Sequence, residues 1–232
     1  MPTWLVPSKT LKTSGMQMVF NVPLLKSNVK SLKELSKDNS QKPPCFMVED
    51  ERPAVDFDAV KDEYLKQCDS YVFKVIRNNP KKGDEYEQKA CSVDALFCIE
   101  NGILVFVEFK NGRLEKQNVH SKIRDSLLIY NDLMRTSLSD TRKNSEFILV
   151  YNQEVNKTRV NEDIEILKKN SMDMACQTSS SRDYIHKHVA KLENKEFIQF
   201  GIERFQGYCF TNVHTYSESE MKTWLDQHEI HL

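Results

Sequence analysis

Asp94, Glu108 and Lys110 are the residues whose types and spacing are fit for chemistry. Two carboxylates held close together repel unless a cation lies with them. Lys110 supplies one positive charge, and hard oxygen ligands of this kind suit Mg²⁺ or Mn²⁺. Strand geometry decides whether the three side chains meet. Residues 90–99 and 103–110 are two β-rich apolar runs around Glu100-Asn101-Gly102, and they read as a hairpin. Side chains alternate along a strand, so Glu108 and Lys110 project from one face and Phe109 from the other. Leu104 and Phe106 lie deeper on the Glu108 face, which puts two charges at the exit end of a buried apolar strand.

The loop length sets the position of Asp94. A two-residue loop, Asn101-Gly102, puts Asp94 opposite Phe109 and away from Glu108. A three-residue loop, a type I turn followed by Gly102 in the left-handed region, pairs Ile99 with Ile103. Asp94 then lies directly opposite Glu108, with Cβ atoms about 5 Å apart. The side on which Asp94 points separates a metal-binding site from a fold without one.

The elements around the hairpin follow from periodicity. Phe57, Val60, Tyr64, Cys68, Tyr71, Val72 and Val75 recur at helical spacing and predict about five turns. Asn78-Asn79-Pro80 ends that helix. Residues 116–137 predict a second helix, with Val119, Ile123, Leu127, Tyr130 and Met134 as its buried stripe. Residues 147–151 read as a short apolar strand, 184–192 as a helix and 207–214 as a strand. Ser217-Glu218-Ser219-Glu220 is a capping box that opens a last helix carrying Met221, Trp224 and Leu225. Both hairpin strands are apolar on both faces, so helices should cover both sides. The expected class is α/β, a mixed β-sheet flanked by helices on both faces.

Asp94, thirteen intervening residues, then Glu108-Phe109-Lys110 on a hairpin between two helices resembles the PD-(D/E)XK nuclease superfamily, whose fold is restriction-endonuclease-like. The resemblance covers residues 57–152, and Val93 stands where the family's motif begins with proline. It implies one domain over residues 56–232, with a core at 57–152 and an elaboration at 153–232. It also implies Mg²⁺- or Mn²⁺-dependent hydrolysis of phosphodiester bonds in nucleic acid, most plausibly DNA. Asp94 and Glu108 would bind the metal with the backbone carbonyl of Phe109, and Glu63 on the first helix would be a further ligand. Lys110 would orient or deprotonate the attacking water, and Gln117 and Lys122 would contact substrate phosphate. By the same analogy the chain would act in phage defence, as a homodimer or beside a partner subunit that grips the DNA. The competing expectation is a catalytically inactive member of the fold, serving as a nucleic-acid or protein interaction module.

Blander readings stand beside these. Glu63 neighbours Lys61 and Lys66, as on an ordinary solvated helix face. Lys122 and Asp125 are spaced for a surface ion pair. His186 and His188 lie two apart on a helix, on different faces, and His228 and His231 sit near the C-terminus, so neither pair is read as metal ligands. Tyr208, Phe210, Tyr216 and Trp224 could stack on bases but read as core. No Gly-x-Ser-x-Gly elbow occurs, and six glycines leave little room for a phosphate-cradling loop.

Composition bounds the rest. The chain has 232 residues, with 33 basic against 34 acidic and a net charge of −1, which excludes gripping nucleic acid by bulk charge. Residues 111–150 are locally basic and residues 192–232 acidic. Six cysteines include no Cys-x-x-Cys, so neither a zinc ribbon nor a disulfide framework is read, and Cys68, Cys98 and Cys209 fall in apolar patterns. No apolar run approaches the length of a membrane span and no signal peptide is read, so a cytoplasmic protein is expected. Six of the seven prolines lie before residue 54, and residues 1–55 read as a loosely structured arm.

Overall fold

The computed structural model describes residues 22–40, 42–67, 74–76, 85–87, 90–157 and 198–232. Its centre is a six-stranded mixed sheet. The strands in chain order are β1 (Val29–Ser31), β4 (Pro53–Asp56), β7 (Ala95–Cys98), β8 (Leu104–Lys110), β9 (Ser145–Tyr151) and β10 (Asn212–Ser217), and they lie side by side in that order. Neighbours from β1 to β8 are antiparallel, whereas β8, β9 and β10 run parallel. Two further two-stranded ladders are formed, β2 (Lys37–Asp38) with β3 (Cys45–Phe46), and β5 (Lys74–Ile76) with β6 (Glu85–Glu87).

The alternation of β8 and β9 builds two cores. Leu104 and Phe106 of β8 and Phe147, Leu149 and Tyr151 of β9 face one side, and Val105, Val107, Phe109, Ile148 and Val150 face the other. The first side is covered by α1 (Pro23–Ser27), α3 (Phe57–Gln67) and α4 (Lys116–Met134). Val119, Ile123, Leu127 and Tyr130 of α4 are buried there, with Met134 packed at the margin. The Phe106 ring meets Tyr130 and Phe210 edge-on, each at 5.5 Å. The second side is covered by α2 (Leu32–Leu35) and by α6 (Glu218–Asp226), whose Met221, Trp224 and Leu225 are buried. The expected mixed sheet with helices on both faces is therefore present. α4 and α5 (Leu138–Lys143) carry the chain from β8 to the parallel β9, since a parallel pair needs a crossover rather than a tight turn.

Several elements differ from their sequence reading. The first helix stops at Gln67, and Val75 lies in β5, so three turns replace five; Cys68, Tyr71 and Val72 lie outside the described residues. Among residues 1–55, read as a loose arm, those from 22 onward supply β1 to the sheet edge and Leu24, Leu25 and Leu32 to the two cores. The strand expected at 207–214 runs from Asn212 to Ser217. Tyr208-Cys209-Phe210 instead forms a turn in which the N–H groups of Cys209 and Phe210 both donate to Phe205 C=O. The helix expected at 184–192 lies outside the described residues. The capping box at Ser217 and Glu220 is present with both reciprocal bonds. Cys98 and Cys209 are buried, and the Cys98 thiol is pushed up to about 12 by burial. No described helix is long and apolar enough to cross a membrane.

Candidate active site

The hairpin register places the acids. Ala95 pairs with Val107, Leu96 with Phe106, Phe97 with Val105 and Cys98 with Leu104, and the Ile99 N–H donates to Ile103 C=O at 2.9 Å. The loop is thus the three-residue one. Its turn is not type I, however: Asn101 (φ 64°) and Gly102 (φ 72°) are both left-handed. Asparagine tolerates that region because its short polar side chain bonds locally.

The ladder ends at Asp94 in a specific way. The Asp94 N–H donates to the C=O of Val107, the residue opposite Ala95, so two consecutive residues face one, as in a β-bulge. The Phe109 N–H then donates to Asp94 Oδ2 at 2.6 Å, taking a carboxylate where a strand carbonyl would have stood. N–H and C=O of one strand residue leave on the same side. The Phe109 carbonyl is therefore on the β7-facing side, with Asp94.

Helix α4 closes the site from above. Lys122 Nζ lies 2.7 Å from Glu108 Oε1 and 3.2 Å from Asp94 Oδ1. Asp125, expected as its surface partner, instead accepts the Cys91 N–H at 2.8 Å, and Ser126 Oγ accepts the Val93 N–H at 2.9 Å. Three side chains on successive positions around one helix flank thus fix the segment that carries Asp94. Glu108 keeps only 3 % of its side chain exposed and Asp94 17 %. Burial holds both carboxyls above their ordinary values, and for Glu108 the Asp94 charge adds to the shift. Burial pulls Lys122 down, but Glu108 and Asp94 outweigh it and leave its ammonium above the usual lysine value. Fully ionised, the trio carries one surplus negative charge.

The remaining predicted residues divide. Lys110, on the Glu108 face at the end of β8, is half-buried; its side chain makes no hydrogen bond or ion pair among the described residues, and its charge bears on Asp38 of β2 rather than on the carboxylate pair. Gln117 is exposed on α4, and Glu63 is half-buried on α3 with no bond to the pair among the described residues. The acid that α3 does bring is Asp58, which the sequence reading passed over. The Phe57 N–H donates to Asp94 C=O at 3.2 Å, which seats the start of α3 beside the bulge. Asp58 follows at once. Its carboxylate is hydrogen-bonded by Ser92 Oγ and lies 3.1 Å from Lys61 Nζ, and its charge bears on Asp94, Glu108 and Lys122. The available signal was position: an acid in the first turn of a helix that follows a sheet strand lies at the sheet's end, whereas Glu63 is more than a turn further on.

The donor set fits a hard divalent cation. Two carboxylates converge on the Lys122 ammonium, which is a stand-in for positive charge at that point, and strand alternation turns the Phe109 carbonyl to the Asp94 side. No three His, Cys, Asp or Glu side chains form a ligand group among the described residues. Water would complete the shell, as Mg²⁺ commonly requires.

No family model, curated protein or solved structure matches this chain.

Proposed function

We propose that the chain is a metal-dependent nuclease with a restriction-endonuclease-like core, hydrolysing phosphodiester bonds in DNA. The observation that carries this reading is the buried Asp94–Glu108 pair at the end of β8, with Lys122 on both carboxylates and Lys110 two residues on from Glu108 along the strand. Asp94, Glu108 and the Phe109 carbonyl would hold Mg²⁺ or Mn²⁺, which supplies Lewis acidity and a lowered pKa for water. Lys110 would orient that water and offset charge on the phosphate. Lys122 holds the two carboxylates side by side, and Asp58 adds negative charge from α3. A second copy of the chain or a partner subunit would supply further grip, since the net charge is −1.

The Lys122 clamp also favours a second reading. An ammonium bonded to both acids satisfies them without metal, which suits a catalytically inactive binding module. Plasmid and single-stranded DNA incubated with Mg²⁺, Mn²⁺ or EDTA separate the two. The nuclease reading predicts cutting with either metal, none with EDTA, and loss in Lys110→Ala. No cutting in any lane sinks it.

A further inference from the structure

The outer flank of α4 carries a second feature. Lys122 and Arg124 are two residues apart, about 200° around a helix, so Arg124 leaves from the flank opposite the carboxylate site. His120 lies one turn before it on that flank. The His120 ring meets the Phe205 ring edge-on at 5.1 Å, and the Arg204 guanidinium lies 6.0 Å from the Phe205 ring centroid. Further along, Arg142 Nε donates to the Tyr208 C=O at 2.6 Å, and Thr211 Oγ1 donates to the Arg142 C=O at 2.8 Å. The helix, the end of α5 and the 203–210 turn are thereby joined into one face. Arg124 and Arg204 are exposed, and Tyr208 is 62 % exposed, unusual for a large aromatic side chain. None of the three arginines has a carboxylate in ion-pair range among the described residues. The fields of Arg204 and Arg124 overlap: after burial, both hold the His120 imidazole below its usual value, with Glu203 opposing.

We infer that this face, with Arg124, Arg142 and Arg204 around Tyr208, binds the sugar–phosphate backbone of a single nucleic-acid strand outside the hydrolytic site. The inference rests on the proposed nuclease reading for its choice of anion. Planar guanidinium groups match phosphate oxygens and resist protonation changes. An exposed tyrosine among them offers a stacking face that accepts any base. A near-neutral chain thus gains a local polyanion track without bulk positive charge.

Fluorescence polarisation of a labelled single-stranded 20-mer, with EDTA present and NaCl varied, tests it. Each phosphate contact adds roughly 0.7 to the slope of log K against log salt. The Arg124→Gln, Arg204→Gln double variant should flatten the slope by about 1.4. Tyr208→Ala should weaken binding about tenfold. Lys222→Ala, on α6, should change neither. Thermal melts equal to the unaltered chain show that these exposed replacements leave the fold intact. An unchanged slope in the double variant overturns the inference, as does failure of the unaltered chain to bind at 20 mM salt (about a 20 Å Debye length). Equal competition by polyglutamate overturns it in favour of an acidic protein partner. The two failures are separable: metal-dependent cutting with an unchanged slope removes this face alone, and a flattened slope without cutting removes hydrolysis alone.

Discussion

Lys122 of α4 spans both strands of the hairpin, 2.7 Å from Glu108 and 3.2 Å from Asp94. Removing one partner from a buried charge group typically costs about 3–5 kcal/mol, because the other charges stay buried. For a chain of this size each kcal/mol lowers the melting temperature by about 2–4 °C. Lys122→Met should therefore melt about 10 °C lower at pH 7.5. The deficit should shrink towards pH 5, where the acids take up protons. A deficit equal at both pH values would assign the loss to packing instead.

Glu108 sets a pH dependence. Burial, then Asp94, raise its carboxyl well above the ordinary value of 4.5, so the folded chain keeps a proton that the unfolded chain has released. Stability from this group is complete below about pH 4.5 and declines as pH rises through the folded-state value. Glu108→Gln keeps the shape and removes the titration. Its melting temperature should exceed that of the unaltered chain at pH 7.5 and match it near pH 4. Mn²⁺ should raise the melting temperature of the unaltered chain and leave the variant unmoved.

Asp58 and Glu63 make a contrast within one helix. Asp58 bears electrostatically on all three members of the site, whereas Glu63 makes no bond to the pair among the described residues. Outer groups that tune a metal site commonly change affinity by about 10–100-fold. Asp58→Asn should weaken Mn²⁺ binding about tenfold in a calorimetric titration, and Glu63→Gln should stay within about twofold.

Local rules carried much of the fold. The Ser217–Glu220 box needed only four adjacent residues, and it is present with both bonds. Ser217→Ala should cost about 1 kcal/mol and lower the melting temperature by about 2–4 °C. The hairpin register was legible from Ala95 to Ile103 once the three-residue loop was chosen, but the bulge was not: it sets the Asp94 N–H on the Val107 carbonyl, where the unbroken ladder expected Asp94 opposite Glu108. Lys122 was read as a phosphate contact or as a surface partner of Asp125; its bonds to Asp94 and Glu108 were not legible, since they depend on how α4 crosses the sheet. The turn at Tyr208–Phe210 was missed because its apolar residues look like a strand. The N–H groups of Tyr208, Cys209 and Phe210 converge on Phe205 C=O, and Cys209 and Phe210 are buried without extended pairing.

Calorimetric titration of Mn²⁺ into the unaltered chain and into Asp94→Ala tests the central claim most directly. The account predicts one ion per chain in the first and none in the second, with both proteins folded by circular dichroism. Absence of Mn²⁺ binding in the unaltered chain, or equal binding by Asp94→Ala, would contradict it.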